Sequence, residues 1–222
     1  MKGNLFNWIR YSLFGGVIPE GKKGIAVLGH RFYVGGRWDE IGQLQFDFMF
    51  AQGLRPEHVF LDIGCGSFRG GIHFIPYLNK GNYLAIEKEE ELVQRGIENE
   101  LGKELFDAKR PEIVITEAFE FTELSKVPDY SLSLSLFTHL SSADINLCMK
   151  NLRAFVNPGH RYYATFFEGG SDSERRRSHS LDHFEYTRTT IEKFGTEHGW
   201  ETHYIGEWNH PRDLIMVLYT AR

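Results

Sequence analysis

A short glycine turn is the part of this sequence with the clearest potential for chemistry. Residues 61–71 read LDIGCGSFRGG, with Asp62 two positions before Gly64 and a second glycine at Gly66. Glycines between a strand and a helix let a ligand approach the backbone closely. A dinucleotide site needs a third glycine where Arg69 stands, and Asp62 would repel its pyrophosphate. A ligand with an ammonium group and no phosphate fits this turn better.

A second carboxylate closes the next predicted strand. Glu87 ends the stretch NYLAIE, 25 residues after Asp62. A carboxylate has two acceptor oxygens, so it can accept from both hydroxyls of a ribose. Ligands of parallel sheets bind beyond the carboxyl ends of the strands, so the two acids are expected to face one site. Together they indicate a positively charged, phosphate-free nucleoside ligand.

The segment VFLDIGCG, residues 59–66, resembles the first motif of class I S-adenosylmethionine-dependent methyltransferases. The resemblance implies an enzyme that uses S-adenosylmethionine and releases S-adenosylhomocysteine. It also implies that Glu87 binds the ribose and that the end of the third strand, TEAFE, contacts the adenine, with Phe119 as one candidate. The cofactor-binding residues implied are Asp62, Gly64, Cys65, Gly66, Glu87, Lys88, Glu117, Ala118 and Phe137.

One position departs from the family pattern Gly-x-Gly-x-Gly, because its third glycine is Phe68 here, and Gly70 and Gly71 are expected to supply the room. The segments GHRFYVGGRWDEIGQLQF, SLFTHL, ATFFEGG and WNHPR resemble a subgroup of small bacterial-type methyltransferases linked to sugar, polysaccharide and secondary-metabolite chemistry. This resemblance covers residues 29–222. It implies O-methylation of a small molecule such as a sugar, nucleotide sugar or polysaccharide precursor.

Three other functions stay open. The first is N- or C-methylation of another metabolite, and the second is a nicotinamide-dependent oxidoreductase. The third is a cofactor-binding partner subunit without catalysis. No carboxylate cluster predicts a metal site, although Glu168 with Asp182 stays open, and neither Cys65 nor Cys148 is placed as a nucleophile. No Asn/Asp-Pro-Pro-aromatic motif of amino-directed nucleic-acid methyltransferases follows the fourth strand.

Methylation of a hydroxyl needs a base, and histidine is the usual one. His139 directly follows the fourth predicted strand in LFTHLSS, and we predict it as the catalytic base. The alternative is structural, because a histidine here could cap the helix that begins near Ser141 or bond a backbone carbonyl. The turn NHPR joins two antiparallel strands, which brings His210 and Arg212 to the same edge of the sheet, unless it is an ordinary polar hairpin.

Two further segments are predicted to border the acceptor. GHRFYVGGRW is expected to form a lid that brings Tyr33 near the sulfonium and Arg31 near a carboxylate or an anionic acceptor. The alternative is a glycine-rich loop anchored by Trp38 in the core. The arginine run in SERRRSHSLDHF could bind an anion, although such runs are more often solvated. The predicted substrate-binding residues are Arg31, Trp38, Glu168, Arg175, His183, His210 and Arg212.

The elements that position these residues alternate between strands and helices. Strands are predicted in residues 58–64, 82–87, 112–117, 129–136, 160–170, 200–208 and 213–221, with helices between most of them. The last two strands are too close for a crossover and must form an antiparallel hairpin. The pattern predicts an α/β, Rossmann-like, doubly wound and mostly parallel seven-stranded sheet with helices on both faces. Residues 29–222 are predicted as one domain, and residues 1–28 as an apolar and aromatic helical cap.

Composition narrows the partners. The chain has 222 residues, 41% of them hydrophobic, and a net charge of −5, which argues against a general nucleic-acid binder. Two cysteines make no disulfide framework, and no secretory signal or membrane-spanning run is evident, so a cytoplasmic location is expected. The expected partner is a small acceptor, anionic or phosphorylated if the arginines bind it. A homo-oligomer formed through residues 1–28 stays open.

Overall fold

The computed structural model describes residues 19–222, so most of the predicted N-terminal cap lies outside the described residues. The described part of that cap forms helix α1, Gly21–Leu28. Two more helices precede the first strand, α2 at His30–Tyr33 and α3 at Trp38–Ala51. Within residues 19–222, every helix is too short or too polar to cross a membrane.

The centre of the molecule is one mixed sheet. Its strands are β1 Phe60–Ile63, β2 Tyr83–Glu87, β3 Glu112–Ile115, β4 Tyr130–Ser133, β5 Arg161–Glu168, β6 Glu185–Tyr186, β7 Trp200–Glu207 and β8 Ile215–Ala221. They lie in the order β3-β2-β1-β4-β5-β8-β7, and the short β6 pairs with β5. Strands β1 to β5 run parallel, and β8 is antiparallel to both of its neighbours. The predicted fold class is thereby confirmed.

Helices cover both faces of the sheet. The remaining ones are α4 Gly71–Tyr77, α5 Glu90–Gly96 with a π-helical turn at Ile97–Leu101, α6 Lys103–Lys109, α7 Ser142–Phe155 and α8 Arg188–Glu197. Short 3₁₀ turns lie at Phe121–Glu123 and Phe137–His139. One apolar layer packs α7 and α8 on the sheet, and the other packs α3, α4 and α5 on the opposite face. This layering leaves the carboxyl edge of the parallel strands free for a site.

Two residues lie close to the ends of their helices. Asp39 is in the first turn of α3, which begins at Trp38. Pro76 is the penultimate residue of α4, and the helix ends one residue later. The sequence pattern did not reveal α6 or β6.

The serine–leucine alternation of β4 is explained by paired burial. Ser131 and Ser133 are fully buried, which is unusual for polar residues in a central strand. Ser131 Oγ lies 3.0 Å from His160 Nε2, and Ser133 Oγ lies 2.8 Å from the Tyr162 hydroxyl. Each serine therefore has a partner on or next to β5, so the small side chains cost little to bury.

The glycine turn carries one unusual residue. Phe68 has a φ of 67°, in the left-handed region that favours glycine, and its ring is fully buried. Gly71 and Gly96 make this packing feasible: a Cβ at Gly71 would lie 2.7 Å from Phe68 Cβ, and one at Gly96 would lie 2.5 Å from Phe68 Cδ2. The departure from the family pattern is thus accommodated by glycines on two neighbouring helices.

We expect Gly96→Ala to destabilise the fold by about 1–3 kcal/mol, because the added methyl also meets the Ser67 carbonyl oxygen. A Cβ at this position would lie 2.6 Å from that oxygen. In an open helix the same change stabilises by about 1 kcal/mol, so the sign is diagnostic. Urea unfolding measures it, with Gln94→Ala on the exposed side of α5 as the control. Equal or higher stability of Gly96→Ala would contradict this packing.

Candidate functional site

A cavity of about 540 Å³ opens at the carboxyl ends of β1 to β4. The glycine turn forms its floor, and residues near positions 20, 33 and 180 cover it. It brings together most of the residues predicted to bind a cofactor, together with the predicted base. Those that line it are Tyr33, Asp62, Gly64, Cys65, Gly66, Glu87, Lys88, Glu117 and His139.

Asp62 is a buried acid at the start of the turn. Its carboxylate accepts a hydrogen bond of 2.7 Å from the Tyr83 hydroxyl. Burial raises the pKa of Asp62 to about 7, and the nearby Glu87 adds to this while Tyr83 and Arg69 oppose it. An acid held at this pKa gains its full charge when a cation arrives, so the site is suited to an ammonium group.

Arg69 is the residue of this site that sequence reasoning did not assign. It is only 7% exposed, lines the cavity, and donates from Nη1 to the carbonyls of Val34 and Gly36 at 3.0 and 3.1 Å. Burial and the neighbouring Arg212 lower the pKa of Arg69 to about 10, so it stays a cation at neutral pH. The cavity therefore has a carboxylate, Asp62, for the ammonium group of an amino acid and a guanidinium, Arg69, for its carboxylate.

Glu87 at the tip of β2 holds the backbone of the site. One carboxylate oxygen accepts from the Gly66 N–H at 2.8 Å, and the other accepts from the N–H groups of Lys88 and Glu89 at 2.9 and 3.0 Å. A carboxylate offers about four lone pairs, so the three bonds leave one for a ligand. Glu87 can thus accept a hydrogen bond from one ligand hydroxyl while it keeps its three backbone bonds. A second hydroxyl would have to displace one of them. Burial raises the pKa of Glu87, and the three N–H groups oppose that rise.

The end of β3 supplies an aromatic wall. Phe119 and Leu92 line the cavity, and Phe119 is 8% exposed with a φ of 54°. Ala118, in contrast, is exposed and not part of the lining, because its N–H points to the Thr116 hydroxyl at 3.1 Å. A flat apolar group such as a purine would fit between the two apolar side chains.

His139 lines the cavity with a fixed tautomer. Its Nδ1 lies 2.7 Å from the Asp182 carbonyl oxygen. A carbonyl only accepts, so Nδ1 carries the proton of the neutral ring and Nε2 keeps its lone pair. Burial lowers the pKa of His139 to about 4, and His183, Lys88 and His179 lower it further. The bond to a backbone carbonyl that the structural interpretation predicted is therefore present, and it leaves the Nε2 lone pair free.

A lid covers the cavity, anchored by Glu20. The Glu20 carboxylate accepts from the Ser180 N–H at 2.6 Å and lies 3.5 Å from Lys88 Nζ. The Tyr33 hydroxyl accepts from the Gly21 N–H at 2.9 Å. These contacts join α1 to the loop after β5 and to the tip of β2, so the lid, residues 20–38, is held against the edge of the cavity.

Three of the predicted residues are engaged elsewhere. Phe137 is fully buried in the core against Tyr162, with ring centroids 6.3 Å apart, so it does not line the cavity. Arg31 donates twice to Glu100, at 2.7 and 2.6 Å, because Glu100 in the π-helical turn offers it a bidentate partner. Trp38 is buried beneath the Arg31 guanidinium, which lies 5.0 Å from its ring centroid.

The loop after β5 also differs from the prediction. Arg175 pairs with Asp182 at 2.7 Å and does not line the cavity, whereas Arg177 does. His183 packs between His139 and Phe167, at 6.2 and 5.6 Å between ring centroids.

Glu168 and Asp182, the two acids left open as a metal site, each already have a side-chain partner. Glu168 accepts from the Tyr204 hydroxyl at 2.7 Å, and Asp182 pairs with Arg175. Within residues 19–222, no cluster of three His, Cys, Asp or Glu side chains could hold a metal ion.

His210 and Arg212 lie beside the cavity and not in its lining. Arg212 donates to the Gly35 carbonyl on the same loop that Arg69 contacts. His210 is 5% exposed and stacks on Trp208 at 5.3 Å. The hairpin turn thus meets the lid loop, residues 34–37, at the Gly35 carbonyl, and neither His210 nor Arg212 reaches the cavity lining.

The cavity contains other residues that the sequence pattern did not indicate, among them Glu20, Asp144 and Ser178. Asp144 accepts from the hydroxyls of Ser141 and Ser178, and its N–H donates to Ser141 at 3.3 Å. The only sequence signal for Asp144 was its position three residues after the helix cap Ser141. That position predicts a capping role and not a place in a binding site. The sequence carries no comparable signal for Arg69, whose place in the cavity follows from its burial against the Val34 and Gly36 carbonyls.

Comparison with solved structures places this architecture among class I methyltransferase folds. Magnesium protoporphyrin IX methyltransferase (ChlM) from Synechocystis PCC 6803 with bound SAM has a TM-score of 0.62 at 13% identity, over 99% of this chain and 94% of that one. The glycopeptide N-methyltransferase MtfA has a TM-score of 0.62 at 13% identity, over 82% and 94%. CalS10, an amino pentose methyltransferase from Micromonospora echinaspora, has a TM-score of 0.60 at 15% identity, over 86% and 94%. No protein-family model matches the chain.

Proposed function

We propose that the protein is an S-adenosylmethionine-dependent methyltransferase that methylates a hydroxyl of a small molecule, such as a sugar, nucleotide sugar or polysaccharide precursor. The observation that carries this proposal is the convergence of Asp62, Arg69 and Glu87 on one cavity. The solved structures of the same fold with SAM bound support the choice of cofactor.

The residues present fit this cofactor. Its methionine end carries an ammonium and a carboxylate, which match Asp62 and Arg69. Its ribose matches the free lone pair of Glu87, and its adenine matches the wall that contains Phe119. When bound, the cofactor supplies a methyl group on a positively charged sulfur. The neutral thioether that departs when the S–CH₃ bond breaks is an excellent leaving group.

The protein's own contribution is alignment, exclusion of water and removal of one proton. The lid anchored by Glu20 keeps water from the reacting groups. His139 Nε2 accepts the proton of the acceptor hydroxyl as the new C–O bond forms. A protonated ether is a much stronger acid than an imidazolium with a pKa of about 4, so this transfer is favourable.

N-methylation is the second candidate. Four acids line the cavity near its mouth, Glu20, Glu89, Glu117 and Asp144, and they would favour a cationic amine. MtfA and CalS10, which share the fold, are described as an N-methyltransferase and an amino pentose methyltransferase. An amine must lose its proton before it attacks, so this reaction would depend on the pKa of the amine.

Calorimetry with S-adenosylhomocysteine tests the proposal, with NAD as the control ligand. We expect S-adenosylhomocysteine to bind and NAD not to bind, because Asp62 would face the pyrophosphate of NAD. Binding should also release a proton near pH 6, where Asp62, with a pKa of about 7, is mostly protonated in the free protein. Since the bound ammonium lowers that pKa, affinity should rise about tenfold per pH unit below pH 7.

The variant Asp62→Asn shows whether the pH dependence of S-adenosylhomocysteine binding comes from Asp62 or from another titrating group. The variant cannot release the proton, so its weakened binding should not change with pH over the same range. Heats measured in buffers of different ionisation enthalpy count the protons. Binding of NAD, or wild-type affinity that falls as pH rises from 6 to 7, would contradict the proposal.

A further inference from the structure

Three guanidinium groups and one imidazole gather around the loop that joins α2 to α3, residues 34–37, next to the cavity. Arg69 reaches the carbonyls of Val34 and Gly36 from one side, and Arg212 reaches the Gly35 carbonyl. Gly35 has a φ of 99°, in the region that favours glycine, and a Cβ on it would lie 2.9 Å from Arg212 Nη1. Arg37 follows on the same loop. The positive groups therefore share one small region.

This positive charge is poorly compensated. Among the ion pairs of residues 19–222, none includes Arg69 or Arg212. Arg37 has Glu40 at 3.0 Å, but both side chains are at least half exposed, and such surface pairs are weak. A cluster of this kind lowers its free energy by binding an anion.

His210 adds a directed donor to the cluster. Its Nδ1 accepts from the Arg212 backbone N–H at 3.3 Å, so the neutral ring carries its proton on Nε2. Nε2 is buried and has no hydrogen-bond partner in the described structure. Burial lowers the pKa of His210 to about 4, and the charges of Arg69, Arg212 and Arg37 lower it further. A buried N–H without a partner is costly, and an anionic oxygen would satisfy it.

We propose that His210, Arg212 and Arg37 form a subsite for an anionic group of the methyl acceptor, a phosphate or a carboxylate. This inference rests on the proposed function, because it assigns the group to the acceptor. The carboxylate of the cofactor is assigned to Arg69, which lines the cavity, so His210 and Arg212, which lie beside the cavity, remain for a group of the acceptor that extends past it. The acceptor class is therefore an anionic small molecule, and the recognising arginine is Arg212 and not the predicted Arg175.

The test is calorimetry of the full chain, saturated with S-adenosylhomocysteine, against inorganic phosphate and against acetate. We expect one of the two anions to bind more tightly. Tighter binding of phosphate identifies a phosphorylated acceptor, and tighter binding of acetate identifies an acceptor with a carboxylate. Arg212→Gln should weaken the binding about tenfold, and Arg37→Gln about threefold. Arg37→Gln removes only an exposed side chain, so it reports on the subsite even if Arg212→Gln folds poorly. Arg175→Gln removes the same charge elsewhere and is the matched control, expected within about twofold of wild type.

The inference is overturned if neither anion binds, if Arg175→Gln weakens binding as much as Arg212→Gln, or if phosphate competes with S-adenosylhomocysteine. Competition would place the anion on Arg69. A second titration without S-adenosylhomocysteine separates the two proposals. Anion binding that depends on Arg212, in a protein that does not bind S-adenosylhomocysteine, would support the subsite and refute the cofactor.

Discussion

Replacing His139 by alanine lowers kcat by about a hundredfold to ten-thousandfold, the usual contribution of a positioned general base. Affinity for S-adenosylhomocysteine should stay within about threefold of wild type, because Asp62, Arg69 and Glu87 keep their positions. Added imidazole should restore part of the rate, since it can occupy the vacated space and accept the same proton. A residue with only a structural role would not show this rescue.

The pH profile gives an independent check on the same residue. His139 is neutral above its pKa of about 4, well below the ordinary value of 6.5. The acid limb of kcat that belongs to this histidine should therefore lie below about pH 5, and not near 6.5. His203→Gln on the exposed side of β7 is the control for loss of an imidazole. Unchanged kcat in His139→Ala would favour N-methylation without a dedicated base.

The fold was predictable because its signals are local and repeated. Most parallel strands are short apolar runs, and helical patterns lie between most of the strands. The rules for connecting parallel strands then predict which strand ends meet at the carboxyl edge of the sheet, without knowledge of any side-chain contact. What the pattern missed has no such period: β6 has two residues, and the π-helical turn Ile97–Leu101 continues α5 without a sequence break.

The site was predictable only where one motif carries it. Asp62, Gly64 and Gly66 belong to a continuous turn, and Glu87 follows at a regular distance. Arg31 and Arg175 were misplaced because their partners, Glu100 and Asp182, are chosen by tertiary packing. Arg69 was overlooked for the same reason, since its role comes from burial beside the lid loop.

The second large effect is expected at Glu87. Glu87→Gln should weaken S-adenosylhomocysteine binding about tenfold to a hundredfold, because it removes a charge-assisted hydrogen bond to the ligand. The change also turns one acceptor oxygen into an NH₂ group that faces a backbone N–H, either of Gly66 or of the pair Lys88 and Glu89. Two donors then face each other, and the glycine turn loses an anchor.

This double role has a consequence that separates Glu87 from a simple ligand contact. Glu87→Gln should lower the stability of the free protein by about 1–3 kcal/mol as well as the affinity, since a buried N–H is left unsatisfied. Glu90→Gln removes the same charge on the exposed first turn of α5 and should change neither property. Urea unfolding and calorimetry on the same samples measure both. A variant that keeps full stability but loses affinity would mean that Glu87 does not support the turn. One that loses stability but keeps affinity would mean that the ribose binds elsewhere.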